Sequence, residues 1–148
     1  MTSLTFSELL NISNEVRARW RAASVIDTYI FKIRPQAKER PRAIIAYKGG
    51  KPYPVLKTPE RTRIFEADIA KITEDILRLP APLGVRLGMR LTIFNVDHRG
   101  DLSNHWKSVE DGMQKIAFEN DDQFDYCEPL RIVGKELEPQ IWVDILQL

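Results

Sequence analysis

Apolar positions recur along this chain with two different periods, one of two residues and one of about 3.6 residues. The two-residue period is clearest over 85–94, where every second side chain is apolar, and it predicts a half-buried strand. Runs rich in β-branched and aromatic residues predict further strands at 25–33, 124–133 and 141–146. Pro129 should confine the third of these four strands to a sheet edge or a bulge.

The 3.6-residue period predicts three helices. The first spans 5–23 and begins with Thr5 and Glu8 at the spacing of a capping box. The second begins with the Thr-Pro pair at 58–59, as N-cap and first helical position, and ends before Pro80. The third carries an apolar stripe of Leu102, Trp106, Val109, Met113 and Ile116.

The segment between the first strand and the second helix is dense in Pro, Gly and Lys. It predicts a long loop or a loose hairpin, with a short strand at Ala43–Tyr47. The element order then becomes α-β-(loop or hairpin)-α-β-α-β-β. This order favours an α+β fold, with a small mixed sheet and helices packed on one side of it.

Composition narrows the class of protein. The chain has 148 residues, of which 43% are apolar and 29% charged, which suits one globular domain rather than a disordered segment. The apolar runs are too short to span a bilayer, and the N-terminus lacks the pattern of a signal peptide. With Cys127 as the single cysteine, we expect a cytoplasmic protein in which that thiol is a small buried apolar group.

Charge is distributed unevenly, although the net charge is only +1. The segment 32–63 holds ten basic and two acidic side chains, whereas 97–128 holds nine acidic and three basic ones. Such an arrangement suits a protein that binds a polyanion with the first segment and metal ions with the second. The alternative is two solvated surfaces of opposite sign.

The acidic segment contains the candidate chemistry. Asp101 stands before the third helix, Lys107 lies within it, and Asp121 and Asp122 follow it. If the strands on either side of this helix pair, we expect Asp122 to return towards Asp101, and clustered carboxylates are stable mainly around a divalent cation or a shared proton. Alternatively, Asp101 only caps the helix, and Lys107 and Asp111 form a surface pair worth about 0.3–0.5 kcal/mol.

The pattern D-L-S-N-x-x-K-x-x-x-D over 101–111, with D-D-Q at 121–123, resembles the RusA family of Holliday-junction resolvases. That family has D-[LVI]-D-N-x-x-K-x-x-x-D and then a D-D turn. The basic run from Arg40-Pro41-Arg42 to Lys57-Thr58 is also similar to a motif of the family. The resemblance covers about 25–146, so we expect a helical extension over 1–24 and a resolvase domain over 25–148.

The resemblance implies a homodimer that binds four-way DNA and cuts it by Mg²⁺-dependent hydrolysis. Mn²⁺ is the alternative cation for a site altered at Ser103, and the short apolar runs predict no association with membranes. It implies catalytic roles for Asp101, Lys107 and Asp122. The same match implies metal ligation by Asp101, Asp122 and Asp121, and supporting roles for Ser103, Asn104 and Asp111.

The basic segment is the candidate DNA contact. Its side chains can follow phosphates without reading sequence, and Tyr47 and Tyr53 can stack on exposed bases. The DNA-binding residues predicted are Arg40, Arg42, Lys48, Lys51 and Lys57.

Ser103 departs from the family pattern, because the family has a third Asp there. A neutral hydroxyl is a poor ligand for a hard cation. Three alternatives follow: another group (Asp97, His98, His105 or Glu110) replaces the ligand, the site works with one ligand fewer, or the protein binds junctions without cutting them. The two histidines are expected to be surface or packing residues. A third class of function, binding of a protein partner through the first helix, also stays open.

Overall fold

A mixed four-stranded sheet forms the centre of the molecule, and a separate two-stranded sheet accompanies it. The structure is a computed structural model that describes residues 3–76 and 84–148. In chain order its elements are α1 (Phe6–Arg21), β1 (Ser24–Phe31), β2 (Arg42–Lys48), β3 (Lys51–Lys57), α2 (Glu60–Ile76), β4 (Leu87–Asn95), α3 (Leu102–Met113), a 3-10 turn (Asp121–Gln123), β5 (Phe124–Val133) and β6 (Gln140–Gln147).

The strand order of the larger sheet is β1-β6-β4-β5. β6 pairs antiparallel with both β1 and β4, whereas β4 and β5 run parallel, from Leu87 beside Phe124 to Asn95 beside Val133. Parallel neighbours need a crossover connection, and α3 supplies it. β5 is an edge strand, as predicted from Pro129.

One face of this sheet forms the core with α2 and α3. Alternate side chains of β4 are fully buried there, among them Met89, Leu91 and Ile93. The two helices approach closely, because a Cβ atom at Gly112 of α3 would lie 2.7 Å from the Cβ atom of Ile69 of α2. The predicted α+β fold, with a mixed sheet and with α2 and α3 packed on one side of it, is therefore confirmed.

α1 is attached to the sheet at its C-terminal end. Trp20 is 2% exposed, stacks on Tyr126 with ring centroids 5.9 Å apart, and covers Gly88 of β4. Gly88 alternates with the core residues of β4, so Trp20 lies on the opposite face of the sheet. The predicted capping box is present, because Thr5 and Glu8 each accept a hydrogen bond from the other's backbone.

Several local predictions needed correction. Of the two alternatives predicted for this segment, a loop or a loose hairpin, residues 42–57 form the hairpin, and it is regular, since Gly49 and Gly50 both adopt positive φ and make a two-residue turn. α2 begins one residue later than predicted, and its predicted end at Pro80 lies outside the described residues. Cys127 is exposed, because it belongs to the edge strand β5.

Helix length and hydropathy also bear on membrane association. Over 3–76 and 84–148, none of the helices is both long and apolar enough to cross a membrane.

Candidate nucleic-acid interface and acidic cluster

Asp101 occupies the N-cap position of α3. Its backbone is extended, with φ −74° and ψ 143°, and its carbonyl oxygen accepts hydrogen bonds from the backbone N–H groups of Asn104 and His105. Within the described chain its side chain makes no capping hydrogen bond. The exposed carboxylate of Asp101 is therefore not required to hold the helix end.

Lys107 lies one and a half turns into α3 and is surrounded by three carboxylates. Its ammonium nitrogen is 3.1 Å from Asp111, 3.1 Å from Asp121 and 3.3 Å from Glu110. Burial opposes the charged form of this lysine, but hydrogen bonds to Asp111 and Asp121 outweigh it and raise the pKa of Lys107. The ammonium group stays charged, so it can offer positive charge to a phosphate but cannot act as a general base.

The cluster extends to a second lysine. The ammonium group of Lys38 contacts Asp111 and lies 3.3 Å from Glu66 of α2. Burial again opposes the charge, and the hydrogen bond to Asp111, with the nearby Glu66, raises the pKa of Lys38. We call this set the lysine–carboxylate network, and its members are Lys38, Glu66, Lys107, Glu110, Asp111 and Asp121.

Glu110 is the most buried carboxylate of the network. Its side chain is 8% exposed, and it accepts a hydrogen bond from the indole N–H of Trp106 at 2.9 Å. Burial raises the pKa of Glu110, while the hydrogen bond from Lys107 opposes that rise. Its carboxylate is thus directed at Trp106 and Lys107 rather than at the end of α3 where Ser103 lies.

The predicted return of Asp122 towards Asp101 is wrong. The flanking strands do pair, but in parallel, so Asp101 follows the carboxyl end of β4 whereas Asp122 precedes the amino end of β5. Nine strand residues at about 3.3 Å each separate these ends by roughly 26–30 Å. Arg86 holds the backbone oxygen of Asp122 at 2.6 Å, at the start of the strand pair.

The implied divalent cation does not fit the carboxylates of a single chain. Among the described residues, no group of three or more His, Cys, Asp or Glu side chains could hold a metal ion. Asp121 is engaged by Lys107, and Asp101 and Asp122 lie at opposite ends of the strand pair. One copy of the chain therefore presents two separate acidic positions rather than one metal site.

The remaining predicted residues lie at the N-terminal end of α3. Ser103 and Asn104 are exposed, and the carbonyl oxygen of Asn104 accepts a hydrogen bond from the backbone of Lys38 at 2.9 Å. His98 is exposed, and His105 is 2% exposed and bonded to the backbone of Arg99, so both histidines are surface or packing residues as expected.

The basic side chains of the β2–β3 hairpin lie on one face, with one pair at each end of it. Residues directly opposite each other share a face, and the register pairs Arg42 with Lys57 and Lys48 with Lys51. We call this side the basic face, and between its two basic pairs it also carries Ile44 opposite Val55 and Tyr53 opposite Ala46. The other side, which carries Tyr47, is exposed and apolar: Ala43, Ile45, Tyr47, Pro52, Pro54 and Leu56.

Like charges directly opposite each other cost stability unless something compensates them. The basic face contains two such pairs, one at each end of a hairpin whose strands run for seven residues, or about 20 Å. Arg40 is exposed immediately before β2, so all five predicted DNA-binding residues lie along one projecting segment.

Sequence reasoning missed two members of the lysine–carboxylate network. These are Lys38, which the sequence marks only as one basic residue of a basic segment, and Glu66 of α2. Lys38 meets Asp111 across 73 positions of the chain, and no local spacing signals that contact.

A comparison with family models identifies the family of the chain. The model of the family described as Endodeoxyribonuclease RusA matches residues 32–145, which is most of the chain. The chain therefore belongs to the RusA family of endodeoxyribonucleases, a family that acts on Holliday junctions. A comparison with curated proteins found no match to this chain. α1 lies wholly outside the matched residues.

Proposed function

We propose that this protein resolves Holliday junctions as a homodimeric, Mg²⁺-dependent endonuclease. The observation that carries the proposal is the basic face of the hairpin. Arg42 of one opposed pair already lies 3.5 Å from Glu39, whereas Lys48 and Lys51 form no salt bridge among the described residues. The Lys48–Lys51 pair is therefore costly in the free protein, and both pairs gain when DNA phosphates lie beside them. Family membership supplies the class of reaction.

The cutting site is proposed to form between two copies. Asp101 and Asp122 are too far apart within one chain to share a cation, and a two-fold dimer can bring Asp101 of one copy to Asp122 of the partner subunit. A cation held there would lower the pKa of its bound water and stabilise charge on the phosphate. Lys107, held charged by its carboxylates, adds positive charge in the same region.

The test is a mixing experiment with two inactive variants, Asp101→Asn and Asp122→Asn. Each homodimer lacks one of the two carboxylates at both sites, so neither should cut a labelled four-way junction. A mixed dimer, purified through two different tags, retains one site with both carboxylates and should introduce a single nick. Wild-type protein with Mg²⁺, and a linear duplex of the same sequence, are the controls.

If the mixed dimer does not cut the junction while the wild-type protein does, the proposal of a site shared between two copies is wrong. Both residues are exposed, so neither substitution should impair folding. Thermal unfolding of each variant checks that expectation.

A second function, junction binding without cutting, is favoured by a specific observation. Ser103 removes a carboxylate that the family pattern contains, and no metal-holding group of side chains is found in the described chain. If wild-type protein binds the junction but cuts with neither Mg²⁺ nor Mn²⁺, and Ser103→Asp cuts, this function replaces the first. If wild-type protein and Ser103→Asp cut the junction equally well, junction binding without cutting is excluded.

A further inference from the structure

A cavity of about 360 Å³ is lined in part by Gly100, the residue before Asp101, and belongs to neither the basic face nor the lysine–carboxylate network. Its walls come from the segment before the hairpin, the start of α2, and the loop between β4 and α3. We call it the arginine cavity, and the lining residues that matter here are Arg34, Gln36, Arg61, Asp97, Arg99 and His105.

Three arginines converge on this cavity and are held only loosely. Arg34 and Arg99 lie 3.7 Å and 3.6 Å from the same oxygen of Asp97, and Arg61 lies 3.9 Å from Glu39. These separations exceed hydrogen-bond length, and each arginine side chain is at least 65% exposed. Their planar arrays of N–H donors therefore remain available, in the geometry that binds phosphate oxygens in pairs.

A buried donor also lines the cavity. The side-chain nitrogen Nε2 of Gln36 is buried and finds no hydrogen-bond partner among the described residues. A buried amide N–H without a partner costs about 1–3 kcal/mol, so a rotation of the Gln36 side chain that turns this group towards an anion in the cavity would be favourable.

Neighbouring segments of the chain approach each other closely at Gly100 in the wall of the cavity. Gly100 has φ +78°, and a Cβ atom there would lie 2.5 Å from Ala37 and 3.2 Å from the ring of His105. His105 donates from Nε2 to the carbonyl oxygen of Arg99 at 2.9 Å, which fixes this loop against the start of α3. The N-terminus of α3 adds partial positive charge.

The formal charges of the arginine cavity come to a net +1. Arg34, Arg61 and Arg99 contribute three positive charges, and Asp97 and Glu39 contribute two negative ones. Burial lowers the pKa of His105, so its ring is neutral at pH 7 and adds no charge. A net positive cavity with loosely paired guanidinium groups suits a singly charged phosphodiester better than a cation or a neutral ligand.

We propose that the arginine cavity binds a DNA backbone phosphate next to the phosphate that Asp101 faces. This inference deepens the proposed function and rests on it for the identity of the ligand. Binding there orients the strand relative to Asp101 and carries no sequence preference, because only phosphate oxygens are contacted.

The test compares two double variants that remove the same charge. Arg34→Gln with Arg99→Gln alters the cavity, whereas Arg17→Gln with Arg63→Gln alters exposed arginines of α1 and α2. Affinity for a labelled four-way junction is measured by fluorescence anisotropy across a series of salt concentrations. The cavity variant should lose about tenfold in affinity, and its salt slope should fall by about 0.9, the value for one phosphate contact. The control should keep the wild-type slope.

A second measurement separates failure of this inference from failure of the proposed function. In a titration with inorganic phosphate, the NMR signals of the Gln36 side-chain amide should shift in wild-type protein and not in the cavity variant. The inference is wrong if the cavity variant binds the junction with the same salt slope as wild-type protein. It is also wrong if inorganic phosphate does not shift the Gln36 amide signal of wild-type protein. A wild-type protein that does not bind junctions, but whose Gln36 signal responds to phosphate, would remove the proposed function and leave the anion site standing.

Discussion

The ammonium nitrogen of Lys107 lies 3.1 Å from a carboxylate oxygen of Asp121, across the turn that connects α3 to β5. The same nitrogen is within 3.3 Å of Glu110 and Asp111. One lysine thus compensates three carboxylates, of which Glu110 is nearly buried. Its role in the fold and its role towards DNA need to be measured separately.

Replacing Lys107 by Met should lower the free energy of unfolding by about 1–2 kcal/mol. Glu110 and Asp121 lose their nearest cation, Asp111 keeps only Lys38, and the site stays partly hydrated. Urea denaturation at pH 7 measures this. Lys115→Met is the matched control, since Lys115 pairs with Glu119 at 3.1 Å on a more exposed surface, and it should change stability by less than about 0.5 kcal/mol. Equal effects of the two substitutions would contradict the role given to the network.

The basic face of the hairpin predicts opposite effects on stability and on DNA binding. Lys48→Gln with Lys51→Gln should leave the free energy of unfolding unchanged or raise it by about 0.2–1 kcal/mol, because two like charges no longer face each other. The same variant should bind a four-way junction more weakly, with a salt slope lower by up to about 1.8, or 0.9 for each contact.

The control for the hairpin variant is Lys71→Gln with Lys135→Gln, which removes two exposed lysines elsewhere. Unchanged junction affinity in the hairpin variant, or an equal loss in the control, would argue against the basic face as the DNA contact.

His105 predicts a dependence of stability on pH. Burial lowers the pKa of His105, so the folded protein favours the neutral ring. The stabilisation is present above the unfolded pKa of about 6.5 and is lost as the pH falls through the lower folded value. His105→Gln should flatten the profile of urea-unfolding free energy below pH 6.5, while exposed His98→Gln should preserve it. If His105→Gln and His98→Gln both show the same pH profile of unfolding free energy as the wild-type protein, His105 is not the source of the pH dependence.

The close contact between α2 and α3 at Gly112 leaves no room for a larger side chain. A Cβ atom there would meet Ile69 at 2.7 Å and the carbonyl oxygen of Glu66 at 3.1 Å. Gly112→Ala should therefore lower the free energy of unfolding by about 1–3 kcal/mol, although alanine favours helices. Ser103→Ala, at an exposed position of the same helix, is the control and should have little effect. Stabilisation by Gly112→Ala would show that the helices are not in this contact.

Trp20 predicts how α1 is held. Its ring covers Gly88 and stacks on Tyr126, while most other apolar side chains of α1 are exposed. Trp20→Ala should lower stability by about 3 kcal/mol and speed tryptic cleavage at the arginines of α1. Val16→Ala, at an exposed position of α1, should leave the cleavage rate unchanged. Equal cleavage of all three proteins would mean that Trp20 does not anchor the helix.

Local features of the fold were predictable from the sequence, because each depends on residues a few positions apart. Thr5 and Glu8 form the capping box that their spacing indicated. The alternation around Met89 became the central strand β4, and Pro129 lies in an edge strand because it has no N–H to donate to a neighbour. The motif from Asp101 to Asp122 likewise indicated the family before any contact was known.

Only the tertiary structure decided which of these residues meet. The direction of β5 depends on how α3 crosses the sheet, and the parallel pairing puts Asp122 at the opposite end from Asp101. The contact of Lys38 with Asp111 depends on how the packed core positions the segment before the hairpin. Short-range periodicity carries no information about either arrangement, because strand direction and long-range contacts are set by burial of the whole apolar surface.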